Sequence, residues 1–266
     1  MKKIFGIVSI CLLALLLFVY LHFYYRWKPL WSLETPQKAY HIARHQDDTL
    51  RIVMIGDSWV GMRTDTINSI FKSRLSESVG RPVIIKSKGK GGEKSRGIYQ
   101  LLFEDEGMGT KSLFTSGSDY CVVIAGINDA AANLGKNQFT HHMKLIIHFL
   151  LENGVRPILI EIPNVDIWNV YGGKPVKDLV VDYARSLMAG SGMYHYSEYR
   201  EALQLMLEDN KLMDSVIIVP MNSWNEDSPD IDKHIFLNDK IHLNHQGYCI
   251  LDSCIIDAIN QDLQTF

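Results

Sequence analysis

Four short clusters carry the residue types that acyl chemistry needs. Gly56-Asp57-Ser58 presents a hydroxyl directly after an apolar run, and Gly56 suits a sharp backbone turn there. A serine hydroxyl is a weak nucleophile until a neighbouring base takes its proton. Asp239-Lys240-Ile241-His242 offers that base, because imidazole titrates nearest neutral pH. The carboxylate three residues earlier can fold back and fix the imidazole tautomer. Asn128, in Gly126-Ile127-Asn128-Asp129, can aim a side-chain N–H at the negative charge that develops on an attacked carbonyl oxygen. The run Lys88-Gly89-Lys90-Gly91-Gly92-Glu93-Lys94-Ser95 exposes backbone N–H groups able to cradle an anion. It lacks both P-loop spacing and the G-x-G-x-x-G dinucleotide pattern, so no cofactor is expected. Each cluster also reads as ordinary structure. Gly, Asp and Ser close turns, Asn and Asp cap helices, and Asn244 suits the N-cap of a final helix.

Their placement along the chain sets them apart. Apolar, β-branched runs at Leu50–Ile55, Pro82–Ile85, Tyr120–Ala125, Pro157–Ile162 and Ser215–Val219 predict strands buried on both faces. Between them, helical periodicity covers about 65–79, 138–152, 174–188, 197–207 and 246–263, with Gly154 as a fitting stop. Strands alternating with helices imply parallel βαβ units: an α/β fold, a three-layer α/β/α sandwich around a five-stranded parallel sheet. Ligands of such sheets bind beyond the carboxyl ends of the strands. Three of the clusters follow strands and the fourth precedes the last helix, so all four can meet at one rim.

In this order, GDS, the glycine loop, G-x-N-D and D-x-x-H resemble the four blocks of the SGNH (GDSL-like) serine hydrolases. The resemblance runs from about Leu50 to the C-terminus and implies that family's flavodoxin-like fold. It implies Ser58 as nucleophile, Asp239 and His242 as its partners in a triad, and Gly92, Asn128 and the Ser58 N–H as oxyanion donors. Gly92 is preferred over the nearby Gly89 and Gly91 because Gly92-Glu93-Lys94-Ser95 is similar to the family's G-[DE]-[TS]-S. Two positions depart from the pattern. Trp59 stands where a small or aliphatic residue is usual, and is expected to shape the pocket and offer a face to a sugar ring. Lys240 stands where glycine is frequent in D-G-x-H.

Bulk properties fit one well-packed domain. The chain has 266 residues, 47% hydrophobic and 21% charged, with a formal net charge of −3. That balance gives no basic footprint for nucleic acid. Cys11, Cys121, Cys249 and Cys254 form no metal-type pair, and no disulfide framework is expected. His234, His242 and His245 lack the further ligands of a metal site. The adjacent His141 and His142 are expected to be surface residues facing apart, and Trp168, Tyr171 and Trp224 are cleft or core candidates.

Residues 4–25 are almost wholly apolar and as a helix span about 33 Å, enough for a hydrocarbon core of about 30 Å. Lys2 and Lys3 precede the run, and Tyr20, Tyr24, Tyr25 and Trp27 mark its far end, as in an interfacial aromatic belt. Arg26 and Lys28 reduce the charge asymmetry. The following FYYRWKPLW offers no small-residue cleavage site, and Cys11 follows Ile10 with most of the run still to come, unlike a lipoprotein signal. The expected organisation is an anchor (1–25), a linker (26–49) and a hydrolase domain (50–266). The domain is expected on the extracytoplasmic side, with secretion after signal cleavage as the alternative. The expected activity is hydrolysis of an acyl ester, with acetyl on a carbohydrate preferred. The alternatives are an O-acyltransferase with the same triad, a lipase or thioesterase, and an inactive glycan-binding protein.

Overall fold

The computed structural model describes residues 2–163, 173–221, 224 and 234–265. Trp168 and Tyr171 lie outside the described residues. Five strands form one parallel sheet: β1 (Leu50–Gly56), β2 (Val83–Gly89), β3 (Tyr120–Ile124), β4 (Arg156–Ile160) and β5 (Ile217–Val219). Their order is β2-β1-β3-β4-β5. The order reverses at β1, which opens a crevice between the carboxyl ends of β1 and β3. Gly56 pairs with both Gly89 and Ile124, so the three loops leave the sheet at one level.

Helices cover both faces. Helix α3 (Asp65–Val79) packs with the last helix, α9 (His245–Gln264). Helices α4 (Ser95–Leu101), α6 (Lys136–Glu152) and α8 (Tyr196–Asp209) pack together on the other side. Two short helices open the strand-end loops, α2 (Ser58–Gly61) after β1 and α5 (Ile127–Ala131) after β3. Helix α7 (Val176–Ala189) follows β4. Helix ends obey local chemistry. The Thr64 hydroxyl accepts the Ile67 N–H at 3.3 Å, and Gly80 closes α3 at φ 67°. Asn244 caps α9 by accepting the Gly247 N–H at 3.0 Å.

The core is apolar and continuous. Phe71, Leu75, Val122, Val123, Phe139 and Ile147 are fully buried, each contributing about 1.5–3 kcal/mol over exposure. The cysteines are free.

Helix α1 (Lys2–Trp27) is long and apolar enough to cross a membrane, and its apolar side chains from Ile7 to Leu21 are exposed. A 3₁₀ turn (Lys28–Trp31) follows it. The chain then runs along the domain as a hydrogen-bonded strap. The Gln37 N–H donates to the Tyr99 hydroxyl (2.7 Å) and the Ile42 N–H to Asn153 Oδ1 (2.8 Å). The Glu34 carboxylate accepts from Arg96 (2.6 Å) and Gln100 (3.0 Å). The strap also corrects one expectation. His142 is not a surface residue but is completely buried. Its Nε2 accepts the Glu34 N–H at 3.2 Å, and its Nδ1–H donates to the Gln138 carbonyl at 2.7 Å. Burial holds it neutral, with its pKa lowered to about 4.

Candidate active site

Ser58 begins α2 directly after β1 and is 8% exposed. Its N–H, at the helix start, has no partner within the helix. Its hydroxyl makes no hydrogen bond among the described residues. The turn before it is set by Asp57, whose Oδ1 accepts the Trp59 N–H at 3.0 Å. Gly56 does not act as the expected sharp turn. It keeps an ordinary strand backbone, and a Cβ there would meet the Ile124 carbonyl oxygen at 2.4 Å. Glycine is required so that β1 can lie close to β3.

Asn128, on α5, crosses the crevice. Its Nδ2 donates to the Glu93 carbonyl at 3.0 Å and to Asp57 Oδ2 at 3.2 Å. It thereby ties the β3 loop to the β1 loop and to the glycine loop after β2. Asp129, beside it, accepts the Ser95 N–H at 2.9 Å and the Ser95 hydroxyl at 2.6 Å, fixing the start of α4. Within the glycine loop, Gly89 ends β2 and packs so tightly that a Cβ would meet the Asp57 carbonyl oxygen at 2.4 Å. Gly92 has open space beside it and φ +70°. Burial pushes the Asp57 carboxyl up to about 7 and the Asp129 carboxyl up to about 6.

Asp239 and His242 form a tight pair, with Asp239 Oδ2 2.6 Å from His242 Nδ1. Asp239 Oδ1 also accepts the backbone N–H groups of Ile241 (3.0 Å) and His242 (2.9 Å). Partial burial alone would raise the Asp239 pKa, but these hydrogen bonds outweigh it and hold the group below the usual carboxylate range. The pair leaves His242 Nε2 without a hydrogen-bond partner among the described residues. Lys240 adopts φ 58°, the left-handed region in which a side chain is costly. That geometry explains why glycine suits the position.

Trp59 joins this loop to the serine. Its indole Nε1–H donates to the Ile241 carbonyl at 2.9 Å, and the Tyr248 hydroxyl donates to the Trp59 carbonyl at 2.9 Å. The residue after Ser58 therefore holds the residue before His242. Trp59 is 2% exposed and packs with Trp224 and Phe236, with ring centroids 6.1 and 6.3 Å away. It has no free face for a sugar, because the His242 loop covers it. Trp224 is likewise a core residue. Beneath this arrangement Arg63 forms a buried pair with Asp252 of α9 at 2.9 and 3.0 Å, its guanidinium 5.2 Å from the Tyr248 ring centroid. Neither His142 nor Trp59 could be assigned these roles from local pattern, since their partners lie more than 100 residues away. Among the described residues no cluster of three or more metal-binding side chains occurs.

No protein-family model matches the sequence, and no curated protein matches it. Solved structures do. A lipase/acylhydrolase from Enterococcus faecalis aligns over 80% of this chain and 96% of its own, at 18% identity and TM-score 0.58. A G-D-S-L family protein from Desulfitobacterium hafniense aligns over 78% and 98%, at 15% identity and TM-score 0.53. The psychrotrophic esterase EstA from Pseudoalteromonas sp., solved with monoethylphosphonate as inhibitor, aligns over 82% and 100%, at 14% identity and TM-score 0.53. At these identities the shared property is the fold: this chain has the three-layer parallel-sheet architecture of the GDSL/SGNH hydrolases.

Proposed function

We propose that the chain is a membrane-anchored serine ester hydrolase of the SGNH type. The observation that supports the reading is the Trp59–Ile241 hydrogen bond, which ties the loop carrying Asp239 and His242 to the short helix that begins with Ser58. Ser58 attacks the ester carbonyl while His242 Nε2 takes the hydroxyl proton. Asp239 steadies the imidazolium through Nδ1. The developing oxyanion is held by the N–H groups of Ser58 and Gly92 and by Asn128 Nδ2. Asn128 can serve by releasing its longer bond, the one to Asp57. His242 then returns its proton to the leaving alcohol, and water repeats the sequence on the acyl-serine.

A short acyl group is favoured. A cavity lined by Asp57, Trp59, Ile124, Ile127 and Ile162 adjoins the site, and its free volume of about 10 Å³ is close to that of one water. The preferred substrate is an acetyl ester, and its carbohydrate alcohol rests on family resemblance alone. Helix α1 is read as the anchor that holds the domain on the extracytoplasmic face. The test compares the full chain in detergent with Ser58→Ala on p-nitrophenyl acetate, and on an O-acetylated polysaccharide by acetate release. The wild type should hydrolyse both and the variant neither. Equal rates for the two proteins on p-nitrophenyl acetate would refute the assignment.

A further inference from the structure

Helix α7 carries an apolar stripe that no described residue covers. Val176, Val180, Tyr183 and Leu187 follow steps of four, three and four residues, so they share one face of the helix. Their exposures are 76%, 61%, 54% and 60%. Outside α1, no other described helix has more than two exposed large apolar side chains. Asp182 and Ser186, the buried residues of the helix, lie roughly 90–130° round it from the stripe, at about 100° per residue. An outward stripe of this kind marks an interaction surface, not a core element.

The place of α7 relative to α1 identifies its occupant. Arg185 of α7 lies 5.5 Å from the ring centroid of Trp27, the last residue of α1. Trp27 is only 4% exposed. Gln138 of α6 donates to the Leu30 carbonyl three residues later. No free spacer therefore separates the apolar helix from the domain. The polar layer of a bilayer is only about 5–8 Å thick on each side. A helix one side chain away from Trp27 thus lies within reach of that layer. Leu30 and Leu33, in the adjoining strap, are also exposed, at 43% and 54%. Arg26, Lys28 and Lys177 are exposed cations suited to anionic headgroups.

We propose that α7 docks on the same bilayer that α1 spans, with Val176, Val180, Tyr183 and Leu187 sunk into the boundary between headgroups and acyl chains. The inference rests on α1 being a retained anchor. It gives the domain a second, reversible membrane contact that fixes its tilt.

The test uses the full chain in vesicles of phosphatidylcholine and phosphatidylglycerol. Leu13 of α1, Val180 and Leu187 of α7, and Leu205 of α8 are replaced one at a time by photoreactive p-benzoylphenylalanine. All four positions are exposed, so folding is little disturbed. After irradiation, intact mass reads what each position touches. Lipid adducts at Val180 and Leu187 should approach the yield at Leu13 and exceed that at Leu205 by about tenfold. Adducts at Leu13 with only the Leu205 background at Val180 and Leu187 would overturn the docking and leave the anchor standing. Cross-linked dimers from Val180 or Leu187 would assign the stripe to a second copy instead. No adduct at Leu13 would overturn the anchor, and the docking with it.

Discussion

Replacing Trp59 by phenylalanine isolates the bond on which the proposed catalytic geometry depends. Phenylalanine keeps an aromatic ring among Trp224 and Phe236 but removes the N–H that holds the Ile241 carbonyl at 2.9 Å. Two costs follow. The hydrogen bond itself is worth about 1 kcal/mol, and the partly buried Ile241 carbonyl, left without this donor, costs about 1 kcal/mol more. A total near 2 kcal/mol is enough to let the 239–242 loop leave its seat. Its Asp239–His242 pair would stay intact, because those hydrogen bonds are local to the loop. The imidazole would then be correctly polarised but badly aimed. A displacement of about 1 Å costs on the order of 10²-fold in turnover. With p-nitrophenyl acetate, Trp59→Phe should lower kcat about 10- to 100-fold while KM changes less than about threefold. Labelling of Ser58 by a fluorophosphonate should slow in parallel. A merely structural role would lower the urea midpoint but leave kcat of the folded fraction intact. Wild-type kcat in a variant that has lost 2 kcal/mol or more of stability would refute the positioning role.

Three further outcomes follow from the site and its support. Lys240→Gly relieves the left-handed backbone at φ 58° and should raise stability by about 0.5–1 kcal/mol in urea melts, with kcat unchanged. Arg63→Met strands the Asp252 carboxylate inside the protein and should cost about 3–5 kcal/mol, whereas adding Asp252→Leu should recover part of the loss. Full stability of the single variant would show the pair to be dispensable. Asp57→Asn addresses pH. Between about 3.8 and about 7 the unfolded chain has lost the Asp57 proton and the folded protein keeps it, so this residue makes stability fall as pH rises through that window. Buried His142 acts in the other direction: it resists protonation in the folded state, so its contribution is lost as pH falls from about 6.5 toward 4. The difference between Asp57→Asn and wild type cancels the histidine. It should grow from pH 4 to pH 7, by at most about 4 kcal/mol, and then level off. A difference that is flat with pH would show that Asp57 is ionised in the fold.

The architecture was legible where burial is symmetrical. β1, β3 and β4 are covered on both faces, so their apolar runs mark them directly. The apolar run of β2 stops at Ile85, although the strand continues through Lys86, Ser87 and Lys88. It is an edge strand with half-exposed positions, where polar residues cost little. Helix α4 leaves little trace in the sequence, since it has seven residues and no side-chain cap of its own. Asp129, reaching from another loop, holds its first residue. The polar clusters were legible as types, since each follows a strand end or precedes a helix. How they interlock was not, because the Trp59–Ile241 and Glu34–His142 bonds join residues 182 and 108 positions apart. The strained Lys240 left a trace only through the glycine common at that position in the family it resembles.

The strap between the apolar helix and the first strand bears on how the molecule can be trimmed. It supplies the N–H that satisfies His142, a donor for Tyr99, the partner of Asn153 and the carboxylate for Arg96. Cutting immediately before Leu50 would open four interior contacts at once and admit water to an imidazole that the fold keeps dry. The natural place to part the domain from its apolar helix is therefore upstream of Glu34, even though the first strand begins sixteen residues later.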